Sequence, residues 1–230
     1  QLEKMVKDYI HLNSQCEVKR TNFGARARRL FLLKAMDMPV PRAVLLSIDA
    51  VKKIQTGRKI DTGGILDVFN EEDIFSVRAS PEHWDWGGPQ TILNVGLNNN
   101  KFADLKIKLG ETEAISLYLR FILSFSIDIM RIDEQLFESV ISKRPTEAMI
   151  TTALNVYEEE MSSPFPQSPN DQLEQVLKSM IRAWNGTTAR ILRKAHNAPE
   201  DAGVAFIIQR MVMGFGKLES GCQQSKETLY

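Results

Sequence analysis

Val204-Ala205-Phe206-Ile207-Ile208-Gln209-Arg210-Met211-Val212-Met213 reads as the clearest buried strand in the chain. Near-continuous apolarity of this length suits the middle of a sheet, covered on both faces. Alternation along the strand predicts Gln209 and Met211 on one face and Arg210 and Val212 on the other. Working outward, Ala43 to Ser47 is short, apolar and preceded by Pro39 and Pro41, and it reads as a second strand. Ile74 to Ala79 (Ile-Phe-Ser-Val-Arg-Ala) carries β-branched and aromatic residues and reads as a third. Thr91 to Gly96 reads as a short strand or an ordered turn.

Helices fill most of the rest. Leu2, Met5, Val6, Tyr9 and Ile10 recur at helical spacing, which predicts a helix over Gln1 to Gln15. Cys16 to Phe23 is polar and reads as a loop. Gly24 then opens a helix that Pro39 and Pro41 stop, because proline lacks the amide donor and clashes with the preceding turn. Ile48 to Gln55 follows a Ser47 cap, and Asp61 to Gly64 is a turn. From Asn99 the pattern is helix after helix: Glu113 to Met130, Ile132 to Ser142, Thr146 to Glu160. Prolines between Ser162 and Pro169 end that block. Asp171 to His196 is amphipathic, with Leu173, Val176, Leu177, Met180, Ile181 and Trp184 on one stripe, and Asn185-Gly186 kinks or splits it. The expectation is an α/β (α+β) fold, with a sheet-bearing part at 1–98 and 162–230 and a helical insertion at 99–161.

The 230 residues carry 29 Lys plus Arg against 29 Asp plus Glu. That balance argues against a nucleic-acid binder working by bulk positive charge. No stretch reaches the roughly 18 apolar residues of a membrane span, and no leader pattern is visible. The absence of an initiating Met reads as a processed chain or part of something longer. Cys16 and Cys222 sit near opposite ends without a CxxC partner, and they read as free thiols of a cytoplasmic protein. His11, His83 and His196 show no metal-site spacing.

Four segments are candidates for chemistry. Gly24-Ala25-Arg26-Ala27-Arg28-Arg29-Leu30 couples a helix start to three guanidiniums, a combination that suits phosphate. Its plain alternative is a solvated basic helix face. Arg78 ends a strand before a glycine-bearing loop, where open α/β sheets place ligands; its alternative is a surface ion pair. His83-Trp84-Asp85-Trp86-Gly87-Gly88-Pro89 is either a loop that closes over a flat or phosphorylated ligand or a tryptophan-anchored surface loop. Gln209 to Val212 offers strand backbone to a ring such as adenine, or is simply core.

These pieces, in this order, resemble the N-terminal nucleotide-binding domain of the pyruvate phosphate dikinase family, an ATP-grasp domain shared with phosphoenolpyruvate synthase. The match runs from about Phe23 to Ser220. The family's glycine-rich Lys segment and Leu-Pro-Val-Pro fall on Gly24 to Leu30 and Met38-Pro39-Val40-Pro41. Its Ser-Val-Arg-Ser falls on Ser76-Val77-Arg78-Ala79. Its phosphate loop and Leu-Asn-Leu-Gly-Leu-Asn fall on Asp85 to Thr91 and Leu93 to Asn98. Phe165-Pro166-Gln167, Arg182-Ala183-Trp184, Arg190 and Gln209 to Gly214 resemble further segments. The resemblance implies that Arg26, Arg78, Gly87 and Thr91 bind nucleotide phosphates, and that Gln209, Met211 and Val212 lie on the adenine side. It implies ATP with magnesium, the metal ligands falling in a second ATP-grasp subdomain absent from this chain. Phosphohistidine and pyruvate-binding domains would be further partners, and the chain alone is not expected to turn over.

Departures accompany the match. Arg26 replaces the family lysine, Glu82 stands where an arginine is expected, and Gln90 replaces an aspartate. The loop methionines give way to Asp85, Gly88 and Pro89. The implied activity is ATP-dependent phosphorylation of a carrier histidine, followed by transfer to pyruvate. The alternative is a non-catalytic nucleotide-binding or regulatory module that keeps the fold. A homo-oligomer is left open.

Overall fold

The structure, a computed structural model, describes residues 7–212 apart from 14, 16, 142 and 143. Cys16, Ser142, Met213, Gly214 and the Cys222 to Tyr230 tail lie outside the described residues. In chain order the elements are β1 (Tyr9–His11), α1 (Arg20–Ala35), β2 (Ala43–Leu46), α2 (Ile48–Gln55), α3 (Thr62–Leu66), β3 (Phe75–Pro81) and β4 (Ile92–Val95). Then come α4 (Asn99–Leu109), α5 (Glu111–Ser124), α6 (Glu147–Met161), α7 (Pro169–Asn185), α8 (Thr187–Ala195) and β5 (Val204–Arg210). A π-turn (Phe125–Ile129) and a 3-10 segment (Glu134–Val140) link α5 to α6.

The five strands form one antiparallel sheet in the order β1-β2-β5-β3-β4. The fold is therefore α+β. β5 is the middle strand, as its apolar run predicts. It pairs Ile208 with Val44 on one side and with Val77 on the other. Parity divides the two faces. Val44, Leu46, Val77, Ala79, Phe206 and Ile208 enter the main core, with α5, α7 and the aromatic rings of the helical segment. Ala43, Leu45 and Ile207 face the other way, against Val18, Phe23 and Ala27 beside α1. In the main core Phe165 meets Phe125 and Tyr157 edge-on at 5.2 Å each, which ties the proline-rich segment to the helices.

Local signals explain several boundaries. The Ser47 hydroxyl accepts from the Ala50 amide at 3.1 Å and starts α2. Pro169 occupies the first turn of α7, where its missing amide costs nothing. Asn185-Gly186 splits the long amphipathic segment into α7 and α8.

Other expectations are corrected. Gln1 to Gln15 is not one helix: Tyr9, Ile10 and His11 pair with Leu46, Leu45 and Val44 as strand β1. The sheet edge supplies hydrogen bonds that outweigh a weak helical spacing, and residues 1–6 lie outside the described residues. α1 begins at Arg20 inside the expected loop, and Gly24 interrupts it at φ 80° rather than opening it. Asp61 to Gly64 becomes the start of α3, because the Asp61 carboxylate accepts from the Gly64 amide at 3.0 Å. Of the helix expected over Ile132 to Ser142, Glu134–Val140 forms the 3-10 segment. Arg78 lies in the middle of β3, not at its end, and an antiparallel sheet has no common carboxyl edge to collect ligands.

Candidate functional site

Arg26, Arg78 and Gln209 come together on the α1 side of the sheet. Ser76, Arg78 and Ser80 of β3 point to that side, as do Ala205, Ile207 and Gln209 of β5, since residues two apart share a face. Ser76 pairs with Gln209 and Arg78 with Ile207, so Arg78 and Gln209 are diagonal neighbours. The Arg78 Nη2 donates to Gln209 Oε1 at 3.4 Å, and Gln209 Nε2 donates to the Pro41 carbonyl at 3.4 Å. Arg26 reaches across from α1 and donates through Nη1 to the Ala79 carbonyl at 2.7 Å.

The two guanidiniums feel each other. Burial, and then the Arg26 charge beside it, lower the Arg78 pKa from its ordinary value. Arginine still remains a cation across the physiological range. Neither Arg26 nor Arg78 has a carboxylate partner among the described residues. Two adjacent, half-buried, unneutralised cations next to a neutral amide form a surface suited to a polyanion.

Ser80 builds the approach of α1. Its hydroxyl donates to the Phe23 carbonyl at 2.8 Å and accepts from the Ala27 amide at 3.0 Å. The Ala27 amide, one of the donors a helix start would offer to phosphate, is thus already committed. Gly24 sits so close to Ser80 that a Cβ would overlap the Ser80 carbonyl. Ser80→Ala removes the hydroxyl from both the Phe23 carbonyl and the Ala27 amide and is expected to cost about 2 kcal/mol of stability. Urea denaturation checks this, and a loss below about 0.5 kcal/mol would mean that the backbone closes the gap by itself.

Other expected site residues lie elsewhere. Arg28 donates to the Val18 carbonyl at 3.0 Å and stacks over Phe31, while Arg29 is exposed. The loop after β3 is anchored on the main-core side: Trp86 is buried, its ring 4.7 Å from that of His83, and Gly88 lies against Ala79 Cβ and near Trp184. Gly87 in that loop is exposed, and Thr91 is half-buried just before β4. Met211 does not stay on the Gln209 face. Past the end of β5 it packs against the main core, its sulfur accepting from the Asn94 amide at 3.2 Å, and Val212 is exposed.

A second set of polar residues was missed by sequence reasoning. The buried Asp73 carboxylate accepts from Arg42 Nη2 at 3.1 Å, Arg210 Nε at 2.7 Å and the Asn70 amide at 2.9 Å. The Asp73 carbonyl accepts from Lys101 Nζ at 2.7 Å. Burial lowers the Lys101 pKa, and Asp73, Glu71 and Glu72 oppose that shift. An acid directly preceding an apolar strand was the available signal. The Leu93 to Asn98 and Phe165 to Gln167 segments are joined by Gln172, which accepts from the Gly96 amide at 2.8 Å and donates to the Leu97 and Pro166 carbonyls at 2.9 and 2.7 Å. Among the described residues no group of three or more His, Cys, Asp or Glu side chains is arranged to hold a metal ion. No helix there is long and apolar enough to cross a membrane.

No protein-family model matches the chain. Its curated homologues are pyruvate, phosphate dikinases. The Rickettsia conorii enzyme is 29% identical over 179 residues, covering 71% of this chain and 20% of its own length. The Clostridium symbiosum enzyme is 28% identical over 230 residues, covering 85% and 26%. The chloroplastic enzyme of Flaveria trinervia is 25% identical over 224 residues, covering 83% and 24%. The chain thus spans about a quarter or less of the length of these relatives.

Proposed function

We propose that this chain is the ATP-binding portion of a pyruvate, phosphate dikinase-like phosphotransferase. The observation that carries this reading is the convergence of Arg26 and Arg78 beside Gln209, all three assigned from the sequence to nucleotide binding. The two guanidiniums would hold the ATP phosphates by charge-assisted hydrogen bonds. The Gly87 loop and Thr91 would close toward them from the main-core side of β3, and Gln209, near the end of β5, would lie on the adenine side, while Met211 packs into the main core. The fold is read as the N-terminal part of an ATP-grasp domain, with 99–161 as its helical insertion. The residues fit the phosphates; the described residues hold no group of three or more His, Cys, Asp or Glu side chains arranged for a metal, and the magnesium ligands are assigned to a second subdomain. When bound, magnesium neutralises phosphate charge during transfer. The carrier histidine and the pyruvate site would belong to other domains of a longer protein.

A single Glu82 favours a second reading, a nucleotide-binding module without transfer chemistry. A carboxylate in the loop that would meet the phosphates repels them.

Calorimetric titration with ATP and ADP, with and without magnesium, tests the site. Arg26→Gln with Arg78→Gln is expected to weaken binding ten- to a hundredfold, the effect of losing about 1.5–3 kcal/mol of charge-assisted bonding. Equal affinity in the wild type and the double variant would overturn the assignment.

A further inference from the structure

The region of α8 holds a separate basic cavity. About 240 Å³ in volume, it is lined by Thr187, Arg190, Ile191, Arg193, Lys194, Ala198, Pro199 and Glu200. Three of these side chains are cationic and one is acidic. Arg190 and Lys194 are exposed and form no ion pair among the described residues.

Arg193 makes this more than a basic helix face. It is only 6% exposed, yet its guanidinium has no hydrogen-bond or carboxylate partner among the described residues. It lies flat on the Trp184 ring, with Cζ 3.7 Å from the ring centroid. Stacking on an aromatic face is favourable but satisfies none of the five N–H donors, and none of these nitrogens is both fully buried and unpartnered, so they stay open to water or a ligand. Arg193 is itself one of the residues lining the cavity. Burial first, and then Arg190, lower the Arg193 pKa, so the two like charges are close. The asymmetry is instructive. Asp73, the buried acid at the end of the sheet, has two arginines; Arg193, the buried base on α8, has no acid among the described residues.

We propose that this cavity is an anion site that takes one phosphate group, either inorganic phosphate or the terminal group of a phosphomonoester. Arg193 supplies planar donors at its floor, and Arg190 and Lys194 supply charge at its mouth. Thr187 adds a hydroxyl. Glu200 at the rim sets a limit: it opposes extended polyanions while leaving a net positive lining for a single group. The site is independent of the Arg26–Arg78 pair, since it is built from other residues on a different element.

Trp184 is the natural reporter, because the guanidinium lying on its ring is the group that would engage the anion. In a Trp84→Phe, Trp86→Phe background it is the remaining tryptophan of the three. Sodium phosphate and glycerol phosphate are titrated against sodium chloride at fixed ionic strength, with calorimetry on the wild-type chain in parallel. The expected result is a saturable change in Trp184 emission with either phosphate and none with chloride; the tighter of the two identifies the source. Arg190→Gln with Lys194→Gln alters exposed positions that leave the core intact, and it is expected to raise the apparent Kd at least tenfold. Arg26→Gln with Arg78→Gln is expected to leave it unchanged. A response no greater than that of chloride overturns the proposal. So does an affinity that survives Arg190→Gln with Lys194→Gln, or one that is lost with the Arg26 and Arg78 changes instead.

Discussion

Asp73→Ala is expected to lower the free energy of unfolding by about 3 kcal/mol, toward the bottom of the range for breaking a buried ion pair. The estimate follows from where the charges sit. The Asp73 side chain is 3% exposed, whereas those of Arg42 and Arg210 are 39% and 44% exposed. Removing the acid therefore leaves two cations that can turn toward water, and not a stranded buried charge. The loss comes from the connections. Asp73 links the start of β2 through Arg42 to the end of β5 through Arg210, and fixes the turn at Asn70. Arg42→Ala with Arg210→Ala is expected to cost at least as much, because it strands the buried carboxylate. Urea denaturation of the three proteins checks this. A loss below about 1 kcal/mol in Asp73→Ala would mean that the hub is replaceable by water. The change also reaches the candidate site, since Arg210 follows Gln209 directly and a frayed β5 end would move Gln209 away from Arg78.

How much of this was legible follows from the range of each signal. β2, β3 and β5 were readable because each is a short apolar run bounded by prolines, acids or glycines, and burial on both faces leaves that pattern in the residues themselves. The Ser47 cap and the break at Asn185-Gly186 are local in the same sense. Tyr9–His11 was not readable: three residues cannot show a period of two, and their strand state comes from Leu46 and Val44, supplied far along the chain. The direction of the sheet was hidden for the same reason. Of the candidate site, Arg26 and Arg78 were found through the order of family-like segments, and no spacing links Arg78 to Gln209, 131 positions away. Strand alternation correctly set Gln209 on one face but failed at Met211, because β5 ends at Arg210 and the chain turns into the main core. Asp73 and Arg193 were passed over because a lone acid or a lone arginine carries no motif. Their importance lies in being buried, with two arginines in one case and with no carboxylate among the described residues in the other.

Gly24→Ala is expected to cost about 3 kcal/mol or more, and to weaken nucleotide binding along with stability. Two effects add. The backbone at φ 80°, ψ 171° lies in a region open almost only to glycine, which by itself costs about 1–3 kcal/mol for another residue. A Cβ there would also overlap the Ser80 carbonyl, a backbone atom fixed in β3 that cannot rotate away. Gly57 separates the two contributions. It has φ 98° with open space around its would-be Cβ, so Gly57→Ala carries the conformational cost without the collision and is expected to lose only about 1 kcal/mol. The collision has one relief, movement of α1 away from the sheet. That movement breaks the Ser80 bonds to Phe23 and Ala27 and withdraws Arg26 from the Ala79 carbonyl. Gly24→Ala should therefore reduce ATP affinity at a temperature where the variant is still folded, and Gly57→Ala should not. Denaturation and ATP titration of both variants side by side provide the check. Equal stability losses would remove the steric argument, and unchanged ATP affinity in a folded Gly24→Ala protein would detach Arg26 from the binding surface.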